Sequence, residues 1–405
     1  MVSFKLLPRN ARTCIAVEPL WALFGPMVSY FMPLYQKQLG MNEVQMGLLN
    51  SVGIASGLLF YTLAAPITNK LGRRRTSLVF DMLSWTISML LWALSRSFIW
   101  FLAAAIFNSV VRIVVVSWNL LISEDADDAQ RSTIFGWINI IGTFGGLTTL
   151  AGGMLINRFG VVPSMRVLFF AGAFSMTFMF ILRFFGTHET RMGKLLIEKT
   201  RKTGLLSLTL RQLPKAGQAL KEPFFLRMVG IFFIVNAVSY IDFFRILYLR
   251  DEKGLSPLVV SSVPALSALA SFFLFFFVLP KQKEAKAVNH LSGAFAICVI
   301  LQVLFILIPK GSILAAVLIF PSLQASYALL CTFRDTVFMN GTAAEARSER
   351  FSLIQSIMML LCIPVGWLAG LLYSLSPQAP FIFSTILYIC GFFLAESMLR
   401  SQAAA

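Results

Sequence analysis

The sequence predicts an all-α polytopic membrane protein of twelve transmembrane helices in two pseudo-symmetric six-helix bundles. Three observations lead there. First, 58% of the 405 residues are apolar and only 13% are charged, against about 25% charged in an average soluble domain. A soluble globule of this length could not hide that much apolar surface, because the buried fraction rises only slowly with size. Second, the apolar residues fall in continuous runs near 14–35, 44–68, 76–95, 98–122, 133–157, 164–186, 223–249, 256–280, 287–309, 311–339, 350–374 and 378–399. Unbroken runs of about 20 residues read as helices, since a barrel strand would alternate. Third, the two halves echo each other. Leu34-Tyr35 then Gly40 matches Leu247-Tyr248 then Gly254; Asn50-Ser51-Val52 matches Ser261-Ser262-Val263. Arg131-Ser132 with Phe135 matches Arg347-Ser348 with Phe351, and Ala151–Leu155 matches Leu368–Leu372, all at offsets of 211 to 217. Such duplication is a known mode of building membrane-embedded bundles.

These segments are numbered spans 1 to 12. The division is residues 1–186 for the N-terminal bundle, 187–222 for a polar, basic central loop, and 223–405 for the C-terminal bundle. An amphipathic helix lying on the membrane is expected within the loop, near 191–221. The first apolar run is followed closely by others and reads as a retained helix, not a cleaved signal. With an even number of spans the termini share a side. Counting the adjoining span ends with the loops, that side carries 24 of the 34 Lys and Arg, the opposite side carries seven, and three (Arg112, Arg245 and Arg334) lie deeper within spans. The positive-inside rule then places both termini and the central loop in the cytoplasm of a multi-pass cell-membrane protein. The net charge of +16 is thereby read as a topology signal facing anionic lipid heads, with no nucleic-acid partner.

Taken in order, the spans carry distinct features. Span 1 places Glu18, Ala22, Gly25 and Ser29 on one narrow face, beside Trp21. Span 2 runs into Ala65-Pro66-Ile67-Thr68-Asn69-Lys70-Leu71-Gly72-Arg73-Arg74-Arg75. A tight turn there wants glycine, and basic side chains can meet helix C-terminal carbonyls or acids. Span 4 holds a polar stripe of Asn108, Arg112 and Asn119 within about 40° of one another. Span 5 is glycine-rich, with Gly145, Gly146, Gly152 and Gly153 among its small residues; span 11 has Gly366 and Gly370. Glycines on such helices allow close packing. Span 7 sets Asp242 three residues before Arg245, a spacing at which they can pair. Span 10 gathers Gln324, Tyr327, Cys331, Arg334 and Asp335 on about a third of its circumference.

The loop after span 2 resembles the GxLaDrxGrkxxl motif of the major facilitator superfamily. Lys70, Gly72, Arg73 and Arg74 match it, while Ala65 stands for its first Gly and Asn69 for its Asp. The resemblance implies that Asn69, Lys70, Gly72, Arg73 and Arg74 form a cytoplasmic latch holding the outward-facing state; Asn69 cannot carry the Asp charge. The second half keeps only Pro280-Lys281-Gln282-Lys283. The resemblance also implies that spans 1, 4, 7 and 10 line a central cavity. The six clearest charges inside the apolar runs, Glu18, Arg112, Asp242, Arg245, Arg334 and Asp335, fall on those four spans. Each costs at least about 2.5–3.5 kcal/mol in the bilayer and needs a reason. Arg112, at mid-span, is the candidate for substrate or coupling, and Glu18 for proton carriage with Arg112 as the opposing charge. Glu18, Arg334 and Asp335 could instead form an inner gate, and Asp242 with Arg245 an outer one. Structural pairing without substrate contact is the alternative for all six.

The expected function is gradient-driven, proton-coupled transport of a small molecule by alternating access, leaning to efflux of amphipathic, drug-like compounds through antiport. Uptake of a small polar solute is the alternative. A lipid scramblase or a non-transporting scaffold is the rival from another class. Span 5 keeps only the end of the GPxxGG pattern of exporters in the family, with Thr148 and Thr149 where Gly-Pro would stand. No nucleophile–base constellation, phosphate loop or dinucleotide fingerprint appears, so no enzyme, no cofactor and no ATP motor is expected. The acids Glu124, Asp125, Asp127 and Asp128 read as a solvated face or as partners for Arg73 and Arg74, with no metal. The five cysteines read as small buried hydrophobes. The expected partners are a substrate, H+ and membrane lipids, and the protein is expected to be a monomer.

Overall fold

The computed structural model describes residues 3–201, 204, 222–274, 277, 287–342 and 347–403. Every regular element among them is helical. Eleven helices are long and apolar enough to cross a membrane: Arg9–Gln38, Glu43–Leu71, Arg73–Leu94, Phe98–Ser123, Thr133–Phe159, Val161–Gly186, Pro223–Glu252, Ala287–Ile306, Ile313–Asn340, Leu353–Leu375 and Ala379–Arg400. Pro257–Phe273 is a shorter apolar helix in the place of span 8. Among the described residues, each of the twelve apolar runs therefore lies on a helix. Large apolar side chains such as Phe174, Val167, Leu314 and Leu375 are exposed, while Ser84, Ser88, Ser117 and Ser292 are buried. This outside-apolar distribution suits a chain whose solvent is hydrocarbon.

The chain divides into two compact units. One comprises Met1–Met41 and Val52–Leu213; the other comprises Asn42–Ser51 and Pro214–Ala405. The first turns of span 2 thus group with the second unit. There Gly47 meets Gly366 and Gly370 at backbone distance, and the Trp367 N–H donates to Ser51 Oγ at 2.8 Å.

The internal repeat is visible as matched contacts within each unit. The Tyr35 hydroxyl donates to the Trp92 carbonyl at 2.8 Å, and the Tyr248 hydroxyl to the Ile306 carbonyl at 3.0 Å. Tyr35 packs on Phe169 with centroids 5.3 Å apart, and Tyr248 on Phe381 at 4.8 Å. The turn after each tyrosine helix closes on a left-handed glycine, Gly40 at φ 83° and Gly254 at φ 70°.

Three spans are interrupted beside their charges. Span 1 consists of Arg9–Val17, Pro19–Ala22 and Gly25–Gln38, with Glu18 at the first joint. Pro19 has no N–H to offer the preceding turn. Span 4 breaks between Phe98–Ser109 and Val111–Ser123, next to Arg112. Span 7 passes from Pro223–Ile241 into a 3₁₀ turn at Asp242–Phe244, then Arg245–Leu247 and a π-turn at Tyr248–Glu252. Span 3 contains a π-helical stretch, Met82–Ile87. Such irregular turns free backbone carbonyls.

Of the central loop, the short helix Arg191–Thr200 is described. It is held to the first unit: Gly193 and Thr200 are buried, and the Thr200 hydroxyl donates to the Asn69 carbonyl at 3.2 Å. The remainder of the expected amphipathic segment, the end of span 8 and Pro280-Lys281-Gln282-Lys283 lie outside the described residues.

Candidate functional site

One end of the first unit is a dense polar network. Gly72, at φ 85° and ψ 162°, opens the helix of span 3, a backbone region open essentially only to glycine. It has no side chain to cap that helix. Glu189, three residues past span 6, caps it instead. Its carboxylate accepts the N–H of Arg73 at 2.9 Å and of Arg74 at 3.1 Å. An anion on a helix N-terminus is favourable. Arg73 is buried and forks onto Glu124, with Nε and Nη2 at 3.1 and 3.0 Å, and donates from Nη1 to Asn69 Oδ1 at 3.2 Å. The Thr190 hydroxyl donates to the same Glu124. Arg74 donates to the Phe184 carbonyl at 2.9 Å and lies 3.9 Å above the Phe184 ring. The N-terminal segment joins in through Asn10, which exchanges two 2.9 Å bonds with the His188 backbone.

The acid cluster is dispersed among separate partners. Glu124 serves Arg73, Asp125 accepts the Arg191 N–H at 3.4 Å, and Asp127 caps the helix Asp128–Phe159 in a reciprocal capping box with Gln130. No group of metal-ligating side chains occurs among the described residues. Cys14, Cys298 and Cys362 are buried thiols, Cys331 is half-buried and Cys390 is exposed.

The candidate site residues separate by how they are spent. Asn108 donates to the Ser84 carbonyl, within the π-helical stretch of span 3, at 2.9 Å. Asn119 donates to the carbonyl of Val115 on its own helix at 2.8 Å. Trp21 stacks edge-on against Trp85 at 6.1 Å and covers Gly25. Arg245 is buried, pairs with Asp242 at 2.6 Å, donates to Gln302 Oε1 at 3.0 Å, and lies 5.3 and 5.2 Å from the ring centroids of Phe305 and Phe320. Arg334 pairs with its neighbour Asp335 at 2.8 Å and sits 4.2 Å above the Phe232 ring. Gln324 is half-buried and forms no hydrogen bond among the described residues. Arg112 differs from the other charges. It is half-buried at the middle of span 4, and no hydrogen bond or ion pair engages its guanidinium among the described residues. Tyr61 of span 2 is within its electrostatic reach.

Two expectations need correction. The cation whose charge acts on Glu18 is Arg183, not Arg112. The reason is depth. Gly186, at the end of span 6, accepts bonds from Arg9 and Thr13 of span 1. Further along, the Ser175 hydroxyl of span 6 donates to the Leu20 carbonyl of span 1 at 3.0 Å, so the two spans lie together over the stretch that holds Glu18 and Arg183. Span 1 begins at Arg9, so Glu18 lies about 13 Å along the helix from its start. The second correction concerns where charge resides. Spans 3 and 6 carry a buried ion pair, Asp81 with Arg183, and span 12 carries Glu396, bonded by the Ser292 hydroxyl of span 9. Arg183, near the end of span 6, reads in the sequence as one more positive-inside residue. Asp81 within span 3 was the available signal.

Glycine packing is local. A Cβ on Gly145 would meet Pro26 and Ala22, and one on Gly152 would meet Met27 and Phe31, so these two positions bring span 5 against span 1. Gly153 is buried and Gly146 half-buried. Gly366 and Gly370 meet residues 43–51, as described above.

The family model of the Major Facilitator Superfamily matches residues 21–363. No curated protein matches the chain. Solved structures share the fold at low identity. The human organic anion transporter MFSD10 (TETRAN) is 17% identical with a TM-score of 0.60, covering 95% of this chain and 99% of its own. The nucleoside transporter NupG is 14% identical with a TM-score of 0.67, covering 98% and 99%. A bacterial homolog of the human lysosomal transporter Spinster is 14% identical with a TM-score of 0.68, covering 96% of each.

Proposed function

Because the chain belongs to the major facilitator superfamily, we propose that it carries a small amphipathic molecule across the cell membrane by alternating access, driven by protons, with export ahead of uptake. Membership makes it a membrane transporter; direction, coupling and substrate are the proposal. Both termini and the network around Gly72 are assigned to the cytoplasm by the distribution of Lys and Arg.

Arg112 carries the reading. An ion in an apolar span is costly unless paired, and the other clear charges of the spans have a cation or anion at hand. Arg112 has none among the described residues. A guanidinium held in this way awaits an acceptor from outside the fold, such as a carboxylate or another electronegative group of the substrate. The indole N–H of Trp118, on the same span, is likewise buried without an acceptor. Glu18 is the proposed proton carrier.

Liposomes holding the protein and an interior pH dye provide the test. With a pH gradient imposed, amphipathic compounds should discharge it through wild type, and Arg112→Ala should lose at least nine-tenths of that response. An undiminished response in Arg112→Ala would overturn the assignment. Lipid movement with no dependence on the gradient would favour the scramblase reading.

A further inference from the structure

We propose that the buried Asp81–Arg183 pair is the positioning element for proton exchange at Glu18, so that the coupling centre is one cation between two carboxylates on spans 1, 3 and 6. The functional sense of this inference rests on the proton-coupled reading above.

Three observations support it. The first is geometry: Arg183 and Asp81 are both under one-twentieth exposed and joined to each other, and span 6 packs on span 1 on both sides of Glu18, where Thr13 donates to the Gly186 carbonyl and Ser175 to the Leu20 carbonyl. Glu18 Oε2 is buried and has no hydrogen-bond partner. The second is charge arithmetic. Two carboxylates and one guanidinium leave an excess negative charge, and an uncompensated buried charge is strongly unfavourable. A single proton neutralises the cluster. Asp81 already holds Arg183 directly, so the carboxylate with an open oxygen, Glu18, is the one to take it. Exchange is a proton transfer alone: Glu18 gives H+ to solvent, no bond between heavy atoms changes, and Arg183 becomes shared by both carboxylates.

The third observation is the internal repeat. Asp81 and Arg183 correspond, at offsets of 211 and 213, to Ser292 and Glu396, which also join spans 3 and 6 of their unit by a single side-chain bond. The second unit makes this joint with a hydroxyl. Packing therefore does not require a full ion pair here, and the extra charge in the first unit has another use.

The groups facing Glu18 are few. Arg183 acts on it from span 6, with Asp81 of span 3 behind it, and Cys14 lies one turn back on span 1. Spans 4 and 5 present Leu121, Ile122 and Ile134 to the preceding turns of span 1, at Ala11, Cys14 and Ile15.

The test needs no substrate. The full chain in lipid nanodiscs is titrated while the protonated-carboxyl stretch is followed by infrared difference spectroscopy. Wild type should show a band that vanishes with rising pH and is missing in Glu18→Gln. Asp81→Asn frees Arg183 for Glu18 and should move the vanishing point at least one pH unit toward acid, a tenfold change in proton affinity. Asp81→Asn with Arg183→Gln leaves neither charge unpaired and removes the cation. It should move the point at least one unit toward alkali of wild type, and it carries the test if Asp81→Asn fails to fold by size exclusion and circular dichroism. No Glu18 band in wild type, or a band that stays put in the folded variants, overturns the proposal. Shifted bands together with substrate flux indifferent to a pH gradient would instead overturn proton coupling and leave the cluster standing.

Discussion

Replacing Gly72 by alanine acts on two contacts at once. The backbone at φ 85° and ψ 162° lies where a residue with a Cβ loses about 1–3 kcal/mol. The added methyl also falls on the Glu189 carboxylate, displacing the group that accepts the N–H of Arg73 and Arg74. Losing a helix N-cap costs about 1 kcal/mol, and losing its charge at the dipole about 0.3–1 kcal/mol more. The sum is about 2–5 kcal/mol, which for a unit of this size lowers the melting temperature by roughly 4–20 °C. Glu189→Ala forfeits only the cap and should lower it by roughly 2–8 °C. Since the methyl of Gly72→Ala already evicts Glu189, the double variant should melt close to Gly72→Ala alone, a non-additivity expected of groups in contact. Intrinsic-fluorescence melting of the purified protein in one detergent ranks the four proteins. Additive losses, or a Gly72→Ala variant within about 1 °C of wild type, would refute the capping argument.

Other outcomes follow from single sites. Gly152→Leu should overpack against Met27 and Phe31 and cost about 1–3 kcal/mol. Gly142→Ala, where nothing lies within 4 Å, should stabilise by up to about 1 kcal/mol; melting curves that reverse this order would contradict the packing. Tyr35→Phe and Tyr248→Phe should each cost about 1 kcal/mol, and equally so, as they remove matched bonds; a large difference in their melting temperatures would show that the repeat is not mechanical. Burial holds the Lys253 amine below its ordinary 10.5, with Lys310 adding to the effect and Glu252 opposing it. The unfolded chain then keeps that proton to higher pH than the folded chain, so stability rises as pH approaches 10.5. Lys253→Met should flatten that part of the melting-temperature profile, and an unchanged slope would count against it.

Periodicity and composition made the helices legible because lipid forces every span into one continuous apolar run. The repeat was legible at Tyr35 and Tyr248, whose turns both need glycine. Span ends were less so: the helix of span 1 starts at Arg9, not near 14, since Asn10 and Thr13 find partners at the end of span 6 that hydropathy does not register. The joint at Glu18 had a signal in Pro19, whereas those beside Arg112 and Asp242 have no proline or glycine at the break. Asp81 and Arg183 stand 102 residues apart, and no local pattern links them. Glu189 has no sequence signal of its own, because an acid in a basic loop looks solvated until Gly72 is seen to need a cap. The special status of Arg112 emerges only by subtraction, once Asn108 and Asn119 are found occupied.

The tyrosine struts also bear on how freely the two halves can be rebuilt. Each hydroxyl grips a main-chain oxygen, so the accepting position places no demand on its own side chain: Trp92 in one unit, Ile306 in the other. A joint of this kind is blind to sequence at one end. It keeps helix spacing constant while residues around it are exchanged, which makes the third helix of each unit the natural splice point for chimaeras that transplant the interior of one half into the frame of the other.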